Sequence, residues 1–176
     1  MHTMYNDIER LLHNIDYARE KDYLVALKKW VEYVSSANSS IGDILADILL
    51  STPVSNKRRI EALVLGLLER PSHRAREKLE ELLLRSDGLG LNREDIVEAL
   101  GALGNPASIP VLAQACDFED EYGHFRAKIA WALGCMKTPL AQAVLEKLLK
   151  SELPNVAWVA REALNNIRQV SGTSDD

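Results

Sequence analysis

The feature that most limits how this chain can fold is a recurring punctuation. Leu65-Gly66, Leu100-Gly101 and Leu133-Gly134 stand 35 and 33 residues apart, and five residues after each glycine comes a proline: Pro71, Pro106 and Pro139. A period of this length marks stacked helical units, each unable to bury its apolar face alone. The pattern places each glycine near the end of a first helix and each proline at the start of a second.

Further positions keep the same phase. Eight residues before each glycine stands an arginine: Arg58, Arg93 and Arg126. Ahead of the glycines, apolar offsets are filled by Ala62, Val64 and Leu65, by Ile96, Val97, Ala99 and Leu100, and by Ile129, Ala130, Ala132 and Leu133. Each second helix carries an apolar trio at spacings of zero, three and four: Leu79, Leu82, Leu83; Leu112, Ala115, Cys116; Leu145, Leu148, Leu149. That spacing puts each trio on one helical face. A partial copy begins near Asn155 and runs through Val159, Ala160, Ala163, Leu164 and Ile167, with Asn165 in place of the glycine and Ala157 in place of the arginine. Such divergence suits a terminal unit that caps the stack.

The segments Arg93 to Pro106 and Arg126 to Pro139, reading Arg-x-x-x-x-x-Ala-Leu-Gly and then proline, resemble HEAT repeats of the phycobilin-lyase-like subclass. The resemblance covers about residues 56 to 169 and implies a fold rather than an activity, because such repeats serve many unrelated partners. The chain departs from that subclass in one respect. An aspartate is usual three or four residues before the arginine, and here those places hold Val54 and Ser55, Leu89 and Gly90, and Tyr122 and Gly123. The arginines are therefore expected to be capped by other acids, such as Asp87 or Glu121, or by carbonyls, as glue between repeats.

The N-terminal third is less regular. Apolar periods predict helices over about Tyr5 to Ile15, Asp22 to Val34 and Ile41 to Leu50, with breaks at Ser35 to Ser40 and Ser51 to Ser55. Tyr23, Leu27, Trp30 and Val34 share a face, so Trp30 is expected in the core against the first repeat. The expected fold is all-α: an α-solenoid of about five antiparallel helix pairs, a HEAT-like superhelix. It forms one domain over 1–170, with irregular helices in 1–55, repeats in 56–170 and a disordered polar tail at 171–176.

Composition narrows the chemistry. With 176 residues, 47% of them hydrophobic, the chain is long enough for one self-sufficient core. Cys116 and Cys135 sit in apolar helical patterns and read as small buried hydrophobes in a reducing compartment. No secretory leader is expected from residues 1–7, and no apolar run approaches membrane-spanning length. A soluble cytoplasmic protein is expected, with no membrane partner. Net charge is -5, with -1 in residues 1–88 and -4 in 89–176, which argues against nucleic acid as a partner. The basic run Lys57, Arg58 and Arg59, with Arg70, Arg74 and Arg76, is interleaved with Glu69, Glu77, Glu80 and Glu81 and reads as a mixed solvated surface.

Catalytic signatures are missing. His2, His13, His73 and His124 are dispersed, and none has the adjacent glutamate of the iron-binding HEAT hydroxylases. There is no Gly-rich phosphate loop, nucleophile elbow or paired-carboxylate motif. No metal, no cofactor and no enzymatic activity are expected. Phycobilin lyases need a tetrapyrrole-sized groove that no residue here marks, and HEAT-like DNA glycosylases need a cationic face.

Binding to another protein is what remains, and three surfaces are candidates. In a stack of this kind the second helices are expected to line an inner groove. Their unburied positions, Glu77, Glu80 and Glu81, then Gln114 and Asp117, then Lys147 and Lys150, run from acidic to basic. Trp131 takes the position of Leu63, Glu98 and Glu162 in sister repeats, and Trp158 that of Arg59, Glu94 and Ala127. These offsets are one turn apart, so the two indoles form either an aromatic binding patch or a seal on the C-terminal edge. The loop Asp117, Phe118, Glu119, Asp120, Glu121, Tyr122 either engages a basic partner or is solvated with its aromatics tucked beneath. The expected function is a protein-binding scaffold or adaptor. The alternatives are an immunity protein that neutralises a basic toxin such as a nuclease, and a phycobilin lyase-like chromophore-binding protein.

Overall fold

The structure, a computed structural model, describes residues 2–53, 55–85, 93–118 and 120–171. Val54, Asp87, Leu89, Gly90, Glu119 and the tail from residue 172 onward lie outside the described residues. Ten α-helices and no strand occur among the described residues: α1 (His2–Asp16), α2 (Glu20–Ser36), α3 (Ile41–Ser51), α4 (Lys57–Glu69), α5 (Arg76–Leu84), α6 (Arg93–Leu103), α7 (Ile109–Ala115), α8 (His124–Met136), α9 (Pro139–Leu148) and α10 (Pro154–Ser171). None is long and apolar enough to cross a membrane.

The helices make an all-α solenoid in two layers. α2, α4, α6, α8 and α10 pack side by side as the first-helix layer, and α3, α5, α7 and α9 stand behind them. The irregular N-terminal segment thus continues the stack, with α2 and α3 as a further pair ahead of α4 and α5. The expected N-terminal break starts later than the sequence suggests, since Ser35 and Ser36 still belong to α2. α1 lies apart from both layers and packs on α2 and α4 through its buried Ile8, Leu12 and Ile15. The apolar offsets read from the sequence form the core, including Ile96, Leu100, Ile129, Leu133, Leu79, Leu112 and Leu145.

The punctuation has local physical causes. Asn105 and Thr138 accept hydrogen bonds from the backbone N–H groups of Ala107 and Ala141, so a capping side chain sits just before Pro106 and Pro139. In the first clear unit the cap is Ser72, after Pro71, accepting from Arg74 N–H. Three residues past the repeat glycine, Gly104 and Lys137 end α6 and α8 with φ of +59° and +48°, the left-handed stop that releases a chain from a helix.

The repeat glycines set the spacing of the first helices. A Cβ on Gly101 would lie 3.0 Å from Ala132 of α8, and one on Gly134 would lie 2.8 Å from Ala163 of α10. Glycine meets alanine at the same offset in both crossings, so α6, α8 and α10 approach more closely than α5, α7 and α9 do. Asn165 holds the equivalent place on α10 and is exposed, because no further helix follows among the described residues. Gly66 departs from the expected equivalence: its Cβ would meet Leu45 and Trp30 of the preceding pair, not an alanine of the next helix. The regular part of the stack therefore starts at α6, later than the spacing of the glycines suggests.

Among the described residues the three arginines of the ladder each reach a backbone carbonyl; Asp87, named as a possible partner, lies outside them. Arg58 donates to the Ala18 carbonyl at 2.6 Å, Arg93 to that of Arg85 at 3.0 Å and Arg126 to that of Asp120 at 3.3 Å. Each guanidinium ties a loop to a first helix. Two also lie over aromatic rings, Arg58 over Tyr23 and Arg93 over Phe118, at 4.9 and 4.7 Å.

Candidate functional site

Positions three and seven residues before each repeat glycine lie one turn apart on the same side of the first helices. On α4 they are Leu63, fully buried, and Arg59, which binds Glu9 and Asp16 of α1 at 2.6 and 3.2 Å. α1 thus covers this side of the stack at α4. On α6, α8 and α10 the same side is open and forms a groove of about 960 Å3. The two tryptophans singled out by offset are brought together there, Trp131 from α8 and Trp158 from α10, with 41% and 61% of their surface exposed.

The groove's walls follow from the same register. Trp131 reaches across to α6, where a Cβ on Gly101 would lie 2.5 Å from its ring, so the missing side chain at Gly101 gives the indole its seat. Ala127, Val159 and Ala163 line the groove as well. Carboxylates come from Glu94 and Glu98 on α6 and Glu162 on α10; cations come from Lys128, which binds Glu98 at 2.7 Å, and Lys137. Small apolar residues and exposed indoles stand in this groove beside charged groups and the side chain of His124. Among the described residues no group of three or more His, Cys, Asp and Glu side chains could hold a metal ion.

Two sequence expectations are corrected at this groove. It lies on the first helices, whereas the sequence placed the groove on the second, and second-helix residues line a smaller cleft of their own. Cys135 is exposed and lines it, and Cys116 is only half-buried; both were expected as buried hydrophobes. Burial pushes the Cys116 thiol up to about 11, with Asp117 adding to the shift, and it raises Cys135 above the ordinary thiol value despite Lys137. At pH 7.5 both are therefore mostly protonated. Iodoacetamide is expected to label Cys135 slowly and Cys116 hardly at all, with the Cys135 rate rising as pH climbs toward its raised pKa. Peptide mapping of the alkylated protein checks this, and equal labelling at the two sites would contradict the burial order.

The second-helix candidates are divided. Asp117, Lys147 and Lys150 line a smaller cleft of about 420 Å3 together with Arg126. Gln114 is exposed outside that lining, and the exposed Glu81 pairs with Lys78 on its own helix and with Arg85 just past the helix end. Glu80 is a correction: its side chain is largely buried, binds Arg76 at 2.7 Å and accepts from the buried Ser108 hydroxyl at 2.6 Å, joining α5 to the next unit. The acids of α5 are paired to Arg76, Lys78 and Arg85, and Glu77 and Glu81 stay exposed in those pairs.

In the acidic loop, Asp120 is the second correction. Its carboxylate is nearly buried and accepts from Arg126 N–H at 2.8 Å, capping α8 where Gly123 has no side chain to do so. Phe118 stacks on Phe125 with centroids 6.2 Å apart, while Glu121 and Tyr122 are exposed. Glu119 lies outside the described residues. Sequence reasoning missed Lys128, Cys135 and the seat at Gly101, although Glu94, Glu98 and Glu162 stood in the sequence as sister positions of the tryptophans.

Residues 83–165, just under half of the chain, match the family model for HEAT repeats. The match spans α6 to α10, the part where the glycine-alanine crossings repeat, and does not reach α4, where the sequence resemblance begins. No curated protein and no solved structure matches the chain.

Proposed function

We propose that this helical-repeat protein is a non-enzymatic scaffold that binds another protein through the groove over α6, α8 and α10. The observation that carries the reading is the pair of indoles: two large aromatics from adjacent helices, both well exposed, facing one concave surface. Tryptophan in such a setting is the residue type richest in binding energy. Small residues around it leave room for a partner's side chains. Three glutamates against two lysines in the lining leave the groove one charge on the acidic side, which supports neutralisation of a basic toxin as a second, narrower reading.

The test is affinity purification from the native host with wild-type, Trp131→Ala and Trp158→Ala chains, followed by titration of the captured partner. Each substitution is expected to weaken binding by about 2 kcal/mol, roughly thirtyfold. Trp158→Ala should leave the melting temperature nearly unchanged, because most of that side chain is already in water. A partner bound equally well by both variants would overturn the groove as the binding site. A copurifying pigment retained by the wild type alone would replace the protein-binding reading with a chromophore-binding one.

A further inference from the structure

The chain already shows what its first-helix face accepts. On α4 the positions three and seven before the glycine, Leu63 and Arg59, lie beneath α1, an amphipathic helix whose Ile8, Leu12 and Ile15 are buried. These three residues follow the spacing i, i+4, i+7, one helical stripe. The groove over α6, α8 and α10 continues that face at the same two offsets with no described segment lying on it. What the open part presents differs in charge. Where α4 offers Arg59 to the acids Glu9 and Asp16, α6 offers Glu94, and Glu98 and Glu162 stand at the neighbouring offset; Lys128, bound to Glu98, and Lys137 share the lining, which leaves an excess of one acid.

We propose that the groove takes a cationic amphipathic helix from another protein, seated as α1 is seated on α4, with its apolar stripe over Trp131 and Trp158 and a Lys or Arg residue toward Glu162. The proposal rests on the protein-binding reading above and names the partner's chemistry. The α1 of a second copy of this chain is not the occupant, because it is already seated in its own chain, with Ile8, Leu12 and Ile15 buried and Glu9 and Asp16 held by Arg59. Helix-in-groove recognition supplies the energetics, since a preformed concave surface pays no reorganisation and the partner's apolar residues bury against the indoles.

The experiment selects binders from a displayed random peptide library on the immobilised full chain, with the Trp131→Ala chain as counter-selection. The expected winners carry net positive charge and apolar residues at i, i+4, i+7, and gain helicity on binding by circular dichroism. Glu162→Lys, an exposed change expected to leave the melting temperature unaltered, should weaken the best of them by about tenfold or more. A synthetic peptide of residues 2–16 should not bind. Winners that are extended or acidic, no enrichment at all, or binding of the residue 2–16 peptide as tight as that of the winners would overturn the proposal. Winners that depend on Trp131 yet show no helical period sink only the helix proposal, whereas a host partner indifferent to both tryptophan substitutions sinks the binding site itself.

Discussion

Replacing Trp30 with alanine is expected to lower the unfolding free energy by about 3 to 5 kcal/mol, the usual range for emptying a buried tryptophan site. Trp30 is fully buried and its indole N–H donates to the Ala62 carbonyl at 2.6 Å. Its ring also sits where Gly66 leaves space: a Cβ there would come within 3.2 Å of the ring and 2.8 Å of Leu45. This side chain therefore ties α2 to α4, next to the place where Leu45 of α3 also meets Gly66. Trp30→Phe keeps most of the volume and loses the donor, so a smaller cost of about 1 to 2 kcal/mol is expected. Urea denaturation measures both. Because stacked repeats lose cooperativity when one junction weakens, hydrogen exchange in Trp30→Ala should show α1 to α3 opening before α6 to α10. A loss below about 1 kcal/mol would mean that the junction is held elsewhere.

The helices and their core were legible because they depend on residues near in sequence. The Leu-Gly-x-x-x-x-Pro spacing marked where α4, α6 and α8 end and where their partners begin, and the apolar trios named Leu79, Leu112 and Leu145 correctly as core. The shape of the stack was not legible, because it depends on which crossings let backbones approach. Gly101 against Ala132 and Gly134 against Ala163 draw the first helices together, while Gly66 faces Trp30 instead. A glycine in a sequence says that a close approach is permitted, not which neighbour makes it.

The same distinction explains the mixed outcome at the site. Trp131 and Trp158 were placed together by offset alone, since a common phase in neighbouring repeats fixes a common face. Glu80 and Asp120 looked solvent-facing by the same reasoning, and tertiary partners absorbed them: Ser108 and Arg76 for the first, the α8 N-terminus for the second. Cys135, exposed in the groove, was misread because its neighbours Leu133 and Met136 are core residues, and one position along a helix is a turn of about 100°.

Arg59→Ala is expected to cost about 3 kcal/mol and to free α1 from the face it covers. The guanidinium reaches both carboxylate oxygens of Glu9 at 2.6 Å and Asp16 at 3.2 Å, and only 16% of its side chain and 15% of that of Asp16 are exposed. Burial by itself would lower the arginine's hold on its proton, yet its pKa is raised because the hydrogen bonds and charges of Glu9 and Asp16 outweigh burial. Removing the cation leaves Asp16 with little water and no counter-ion, and its second oxygen already lacks a hydrogen-bond partner. The cost falls short of the upper range for a buried pair because Glu9 still reaches solvent. Amide exchange across residues 2–16 should accelerate more than in α6 to α10, since the buried Ile8, Leu12 and Ile15 must hold α1 alone. A triple variant, Glu9→Gln, Asp16→Asn and Arg59→Met, removes the stranded charges and should recover most of the loss. If Arg59→Ala costs under about 1 kcal/mol and α1 stays protected, apolar contacts suffice to seat a helix on this face. The charge at Glu162 would then be a weaker selector of the groove's partner than the indoles.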